Sequence, residues 1–236
     1  MAALKTPEKT SRRQELRQNI LVELYARALL FYEDHQKLVY GIGIALLALI
    51  LAIPGYVYYQ QQQAKTANRL LGQILPVYER GNFDPALNGS GDRAGLLTIA
   101  DDYGGTSAGN LASFYAASAL YEQEKYDEAL KYYQQFEKGS DFFGASAYAA
   151  EASIYENKGK LAEAAEYYEE AASVYENKLT APRYLLEAGR TYEEVGNFEA
   201  AKRVYRTIKE EYPDSDQASE VERYLARVKA REKSAS

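Results

Sequence analysis

The sequence predicts an all-α protein in which one apolar N-terminal helix precedes a stack of paired helices. Three observations support this prediction. A long segment lacks charge, a helical pattern recurs three times after residue 110, and no alternating strand pattern is found. The chain has 236 residues, which is enough for one domain with its own core beyond the apolar segment.

The apolar segment is residues 38–59, LVYGIGIALLALILAIPGYVYY, without Asp, Glu, Lys, Arg or His. As a helix it would extend about 33 Å, and a bilayer's hydrocarbon core is about 30 Å thick. Tyr40 lies near one end and Tyr56, Tyr58 and Tyr59 near the other, as in interfacial aromatic belts. We predict one transmembrane helix over 38–59. The alternative is a buried core helix, but such helices rarely run this long without a charge.

The charges that flank this segment predict its orientation. Basic residues are more frequent before the segment than shortly after it, and cytoplasmic flanks carry such an excess. The N-terminus is therefore expected in the cytoplasm, with the rest of the chain outside and the segment kept as an uncleaved anchor. The flanking basic residues are Arg12, Arg13, Arg17, Arg27 and Lys37 before it, and Lys65, Arg69 and Arg80 after it.

The N-terminal segment, residues 1–37, is expected to lie in the cytosol and to contain an amphipathic helix from Ser11 to about Asp34. Apolar residues recur there at helical spacing, for example at Ile20 and Leu24. Two interpretations stay open. The helix could lie on the membrane surface as it leads into the span, or it could bind a partner protein.

A helix-pair pattern repeats between residues 110 and 214. Ala129, Ala164 and Ala201 are 35 and 37 residues apart. Each has a large apolar residue three positions before it, a small residue twelve before it and a tyrosine four after it. A small residue in the first helix lets the second helix approach closely, and the aromatic ring is expected to fill the gap against the next repeat. The small residues are Ala117, Ala152 and Gly189, the large apolar residues Tyr126, Leu161 and Phe198, and the tyrosines Tyr133, Tyr168 and Tyr205.

Two flanking regions complete the domain. Residues 60–109 are predicted to be a degenerate first repeat and linker, because Gly81, Phe83 and Ala86 match the turn glycine, aromatic residue and alanine of the other copies. A glycine-rich break, NGSGD, interrupts this copy. Residues 215–236 are predicted to form a capping helix and tail, as stacked repeats need.

Composition argues against enzyme chemistry. The chain has no Cys and one His, so zinc sites with nitrogen and sulfur ligands and histidine-based triads are not expected. No GxSxG, HExxH or P-loop motif is present. Residues after 37 carry a net charge of −8, which disfavours nucleic acid as a partner. We predict no catalytic residue, cofactor, metal or small-molecule substrate.

The repeated unit resembles the tetratricopeptide repeat, a helix–turn–helix unit of about 34 residues. The whole layout resembles membrane-anchored tetratricopeptide proteins of the bacterial cell envelope and is similar to the ancillary subunit of the Sec translocon. Three segments, NGSG, YGGTSAGNLA and EYPDS, resemble the type found in Bacteroidetes and green sulfur bacteria. This resemblance implies a non-enzymatic scaffold at the periplasmic face of the inner membrane. Its implied partners are proteins, with the Sec translocon and periplasmic chaperones as candidates.

In such repeats the first helix of each pair lines a binding groove. Phe114 and Ser118 replace the Lys and Asn of the clamp that reads chaperone C-termini, so a clamp of that type is not expected. The alternative function is a structural accessory subunit of a stable membrane complex, held through the span and the N-terminal helix. The residues of the predicted groove are Phe114, Ser118, Tyr121, Ser153, Glu156, Asn157, Arg183, Arg190 and Glu193.

Overall fold

The computed structural model describes residues 12–235, so residues 1–11 of the predicted N-terminal segment and residue 236 of the tail lie outside it. The chain divides into two compact units, residues 1–59 and 60–236. In the first unit, α1 spans Arg12–Asp34 and is followed by the start of α2, Gln36–Glu79. Helix α1 covers the segment in which a helix was predicted, and the whole apolar segment is helical.

Helix α2 continues without interruption beyond the apolar segment. The glutamines at positions 60–63 are helical, and Pro76 lies within the last turn. Gln, Ala and Leu favour helix, so a change from apolar to polar residues need not end one. The later part of α2 buries Ala67, Leu71 and Ile74 in the core of the second unit.

Paired antiparallel helices make up the second unit, as the repeat pattern predicts. The short helix α3 is Phe83–Asn88 and α4 is Leu96–Tyr103. The pairs that follow pack each on the next, and a last helix closes the stack. They are α5 Ser107–Glu122 with α6 Tyr126–Gln135, α7 Phe142–Asn157 with α8 Leu161–Val174, α9 Ala181–Val195 with α10 Phe198–Glu211, and α11 Asp216–Ala235.

Local capping sets several of these boundaries. Thr106 Oγ1 accepts the Gly109 N–H at 3.1 Å, and Asp141 Oδ1 accepts the Gly144 N–H at 2.8 Å. These bonds satisfy amide groups that have no partner inside the helix. Helix α9 ends at Gly196, whose φ of 84° is left-handed and favours glycine.

The expectation of no strand is wrong at one place. Strands β1, Gly89–Ser90, and β2, Arg93–Ala94, form a two-residue antiparallel ladder. Gly91 has φ 61° in the turn, and a Cβ on Gly95 would lie 2.1 Å from the Leu87 carbonyl oxygen. The glycines therefore allow the segment between α3 and α4 to fold into a tight hairpin. Its strands are too short to show an alternating strand pattern in the sequence.

Small residues set the distance between the two helices of a pair. Gly189 of α9 faces Tyr205 of α10, and a Cβ at Gly189 would lie 2.3 Å from the Tyr205 ring. Tyr205 is fully buried. In the preceding pair, Ala152 and Tyr168 belong to the same buried cluster. The predicted close approach at the small residue is confirmed at Gly189, where the tyrosine ring fills space within its own pair. The same ring also stacks on that of Tyr224 in the next element, α11, with ring centroids 5.3 Å apart.

We predict that Gly189→Ala destabilises the protein by about 1–3 kcal/mol, because the new methyl group overpacks a buried ring. The measurement is thermal unfolding of the purified full chain in mild detergent, followed by circular dichroism. Gly72→Ala is the matched control, since Gly72 is also helical and has open space around it. That control should stabilise its helix by about 0.5–1 kcal/mol. Equal stability of the two variants would contradict the packing argument.

Candidate partner-binding groove

The predicted groove residues differ in how accessible they are. Glu156, Asn157, Arg183 and Arg190 are exposed, whereas Glu193 is buried. The remaining four, Phe114, Ser118, Tyr121 and Ser153, are half-buried. All nine lie on the first helices of their pairs, α5, α7 and α9.

Phe114 packs within the protein. Its ring lies 5.9 Å from that of Tyr133, 5.5 Å from that of Phe136 and 5.2 Å from that of Phe143, between ring centroids. Tyr133 belongs to α6 of the same pair, Phe136 directly follows α6, and Phe143 belongs to α7 of the next pair. Edge-on aromatic contacts of this kind each stabilise packing by about 0.5–1.5 kcal/mol. Phe114 therefore joins two repeats, whatever else it contacts.

Hydrogen bonds connect the half-buried polar residues across neighbouring helices. The Tyr78 hydroxyl of α2 donates to Ser118 Oγ at 3.1 Å. The hydroxyls of Tyr121 and Ser153 lie 2.8 Å apart and link α5 to α7. These bonds hold α2, α5 and α7 side by side. They therefore help to position the first helices, which carry the exposed residues of the predicted groove.

A tyrosine of the second helix reaches back to the first helix in two repeats. The Tyr168 hydroxyl donates to Glu156 Oε2 at 3.0 Å, and the Tyr205 hydroxyl donates to Glu193 Oε1 at 2.7 Å. Burial and the glutamate partner raise the pKa of each phenol. Both pairs are separated by 12 residues, which is a signal present in the sequence that could have predicted these bonds.

The carboxylate of Glu193 binds side chains of the same protein. It is 1% exposed, and Arg227 of α11 donates to it from Nε at 2.9 Å and from Nη2 at 2.7 Å. Arg231 Nη1 lies 3.4 Å from Oε2. Burial alone would raise the pKa of Glu193, because it disfavours the charged carboxylate. The hydrogen bonds from Arg227 and Tyr205 outweigh this effect, so the pKa of Glu193 is lowered. This cluster fastens the capping helix to the last pair.

A polar cleft of about 330 Å³ lies beside this cluster. It brings together three predicted groove residues, Glu156, Arg190 and Glu193, whereas Arg183 and the residues of α5 lie outside it. Sequence analysis missed the arginines of α11, because residues of the capping helix are outside the repeated pattern. The residues that line the cleft are Glu156, Glu187, Arg190, Thr191, Glu193, Glu194, Arg227 and Arg231.

A second buried carboxylate, Glu151 of α7, has poorer partners. It is 1% exposed, and its Oε1 lies 3.2 Å from the Lys138 ammonium but forms no hydrogen bond. Burial raises the pKa of Glu151, and the nearby Lys138 offsets this only in part. The equivalent positions of the other pairs hold Ala116 and Ala188, so Glu151 replaces a small apolar residue.

Residues 12–235 contain no group of three or more His, Cys, Asp or Glu side chains that is arranged to hold a metal ion. The chemistry available at the cleft is therefore that of carboxylates and guanidinium groups, which recognise charged and hydrogen-bonding partners.

Family comparisons agree with this architecture. Residues 30–141 match the model of a tetratricopeptide repeat-like domain. Residues 145–178 and 183–215 each match a model of the tetratricopeptide repeat. The chain is therefore a tetratricopeptide-repeat protein, a class built to bind other proteins.

Among solved structures, the chain is similar to nearly identical TPR-like repeats of a protein described as a kinesin light chain from Podospora anserina. The similarity has a TM-score of 0.44 and 16% sequence identity, and it covers 71% of this chain and 84% of that chain. A likeness of this degree carries no conclusion about this chain. No curated protein matches the sequence.

We predict that Glu193→Gln lowers the free energy of unfolding by about 2–3 kcal/mol at pH 7, because it leaves two arginines without their counter-charge. The pKa of Glu193 is lowered from 4.5 in the folded protein. Its ionised form therefore stabilises the fold above about pH 4.5 and ceases to do so as the pH falls through the folded-state value. The test is to measure the free energy of unfolding of the parent and of Glu193→Gln from pH 7 to pH 3, with Glu194→Gln, an exposed neighbour, as control.

A stability difference between Glu193→Gln and the parent that did not shrink as the pH fell would contradict the prediction.

For Glu151→Gln we expect the opposite effect, an increase in the free energy of unfolding at pH 7. Because the pKa of Glu151 is raised above 4.5 in the folded state, its ionisation opposes folding at pH 7. The variant should be more stable than the parent by about 1 kcal/mol at pH 7. This gain should vanish below about pH 4.5, where Glu151 is protonated in both states. Lys138 keeps its bond to the Tyr133 carbonyl, at 2.9 Å. Destabilisation at pH 7 would show that the contact with Lys138 outweighs the cost of burial.

Proposed function

We propose that this protein is a non-enzymatic scaffold, anchored in the bacterial inner membrane, that binds protein partners through its tetratricopeptide groove. In this proposal the N-terminus is cytoplasmic and the repeat domain is periplasmic. The Sec translocon and periplasmic chaperones are the candidate partners. The observation that carries the proposal is the exposed polar cleft formed by α7, α9 and α11, which is lined by Glu156 and Arg190 of the predicted groove.

The exposure of the apolar segment supports membrane anchoring. The most apolar window of α2 is not buried against other described parts of the chain. Leu47, Ile50 and Leu51 are 61%, 66% and 69% exposed. A soluble core helix would cover such side chains, whereas a bilayer covers them when the helix spans it.

The proposed binding site consists of the accessible members of the predicted groove. Glu156, Asn157, Arg183 and Arg190 are exposed on α7 and α9. Arg190 lies 3.2 Å from Glu187, an exposed pair that contributes little to stability. A partner can therefore exchange this pair for contacts of its own at a small cost.

The alternative function, a structural accessory subunit, is favoured by another observation. Large apolar side chains of α1 are exposed, among them Leu24, Tyr25 and Leu30. A complex held through α1 and the span would not need the repeats. Deletion of residues 64–236, followed by mild-detergent purification and mass spectrometry, separates the two functions. Retention of every partner would exclude the groove as the binding site.

We predict that Arg190→Glu reduces capture of a groove-bound partner by about tenfold, as expected for a charge reversal near the centre of an interface. The measurement is quantitative pull-down with mass spectrometry from detergent-solubilised membranes. Arg206→Glu is the matched control, because Arg206 is exposed on α10, outside the cleft. Equal partner recovery from both variants would contradict the proposed groove.

We also predict that the full chain stays with the membrane pellet after an alkaline carbonate wash. A transmembrane helix is not extracted by disrupting electrostatic contacts. The distribution of the protein between pellet and supernatant measures this. Quantitative release would rule out the anchor without bearing on the groove.

A further inference from the structure

From Ile20 to Asp34, helix α1 has a wide apolar side and a narrower polar one. At 100° per residue, Glu23, Arg27 and Asp34 fall within one narrow stripe of this part of the helix, and Glu33 lies at the edge of the apolar side. Apolar residues from position 20 to position 32 cover more than half of the circumference. They are Ile20, Leu21, Val22, Leu24, Tyr25, Ala28, Leu29, Phe31 and Tyr32.

Most of this apolar side is exposed in the described part of the chain, although the Tyr32 hydroxyl lies 2.8 Å from that of Tyr40 in α2. Ile20 is 55% exposed, Leu24 58% and Phe31 52%. Exposed apolar side chains in such continuity are unusual in water. Something outside the described chain must therefore cover them in the cell.

The charges on α1 are largely compensated within the helix. Arg27 Nη2 lies 2.6 Å from Glu23 Oε1, one turn away. Between Asn19 and Glu33 these are the only charged residues. Their mutual neutralisation reduces the cost of placing this part of α1 next to a low-dielectric phase.

The junction between α1 and α2 places ionisable residues beside the apolar segment. Asp34 ends α1, Gln36 begins α2 and His35 alone separates them; the His35 N–H donates to the Phe31 carbonyl and the Val39 N–H to the His35 carbonyl, each at 3.0 Å. The ionisable residues around this junction, from Glu33 to Lys37, favour the membrane–water boundary. As one straight rod, residues 20–59 would extend about 60 Å, twice the hydrocarbon thickness. The apolar side of α1 therefore cannot share the span.

We propose that α1 lies in the plane of the membrane surface, with its apolar side inserted into the boundary between headgroups and acyl chains. This inference rests on the proposed membrane anchor. A bilayer fits better than a protein partner, because the apolar side is broad and presents few polar groups for specific recognition. Residues 1–37 carry a net charge of +2, which suits anionic phospholipid.

Tryptophan fluorescence provides the test, because the natural chain contains no Trp. The full chain is reconstituted into vesicles of phosphatidylcholine and phosphatidylglycerol, with or without dibrominated acyl chains that quench Trp on contact. Ala28→Trp places the reporter at the middle of the apolar side, and Leu30→Trp places it near the charged stripe. Leu49→Trp reports on the span, and Leu179→Trp, at a site 82% exposed in the repeat unit, is the aqueous control.

We expect brominated lipid to quench roughly half or more of the Ala28→Trp emission, because an interfacial helix inserts about 5–10 Å. Leu30→Trp should be quenched much less, and Leu179→Trp hardly at all. Strong quenching at Leu49→Trp without quenching at Ala28→Trp would overturn the inference and favour a protein partner for α1. Equal quenching at Ala28→Trp and Leu30→Trp would overturn the in-plane orientation. Absence of quenching at Leu49→Trp would instead overturn the membrane anchor itself.

Discussion

The repeat stack depends on one contact, the packing of a tyrosine ring against a small residue of the partner helix. At Gly189 no side chain beyond hydrogen fits beside the Tyr205 ring. The same tyrosine then donates its hydroxyl to a glutamate of the first helix, at 2.7 Å. One residue type thus sets the distance between two helices and orients a charged group on the first of them.

The two buried carboxylates illustrate how tertiary partners decide the effect of a charge. Glu193 and Glu151 are equally inaccessible, but Glu193 has two arginines and a phenol, whereas Glu151 has one lysine nearby. The pKa of the first is lowered and that of the second is raised. Residue type and burial alone would have assigned them the same role. Glu193 holds the capping helix, while Glu151 stands where its neighbours in the pattern have alanine.

The two units use apolar surface in different ways. In residues 60–236, alanine and tyrosine side chains cover each other, and the exposed surface is polar at the cleft. Between residues 20 and 59, many leucine and isoleucine side chains are exposed, among them Leu47 and Ile50. A scaffold needs the first arrangement to present charged residues for recognition. Exposed leucine and isoleucine side chains serve such a scaffold only if a membrane or another protein covers them.

The sequence by itself determined the helix pairs and their register, because small residues and tyrosines recur at fixed spacing and act between neighbouring helices. It also placed all nine predicted groove residues on the first helices of their pairs. Only the tertiary structure decided which of these are accessible. Phe114 lies among rings from three helices, and Glu193 meets an arginine 34 residues further along the chain. Such contacts join residues that no local period relates. The hairpin at Gly89–Ala94 was missed for another reason, since two-residue strands are too short to leave a periodic signal.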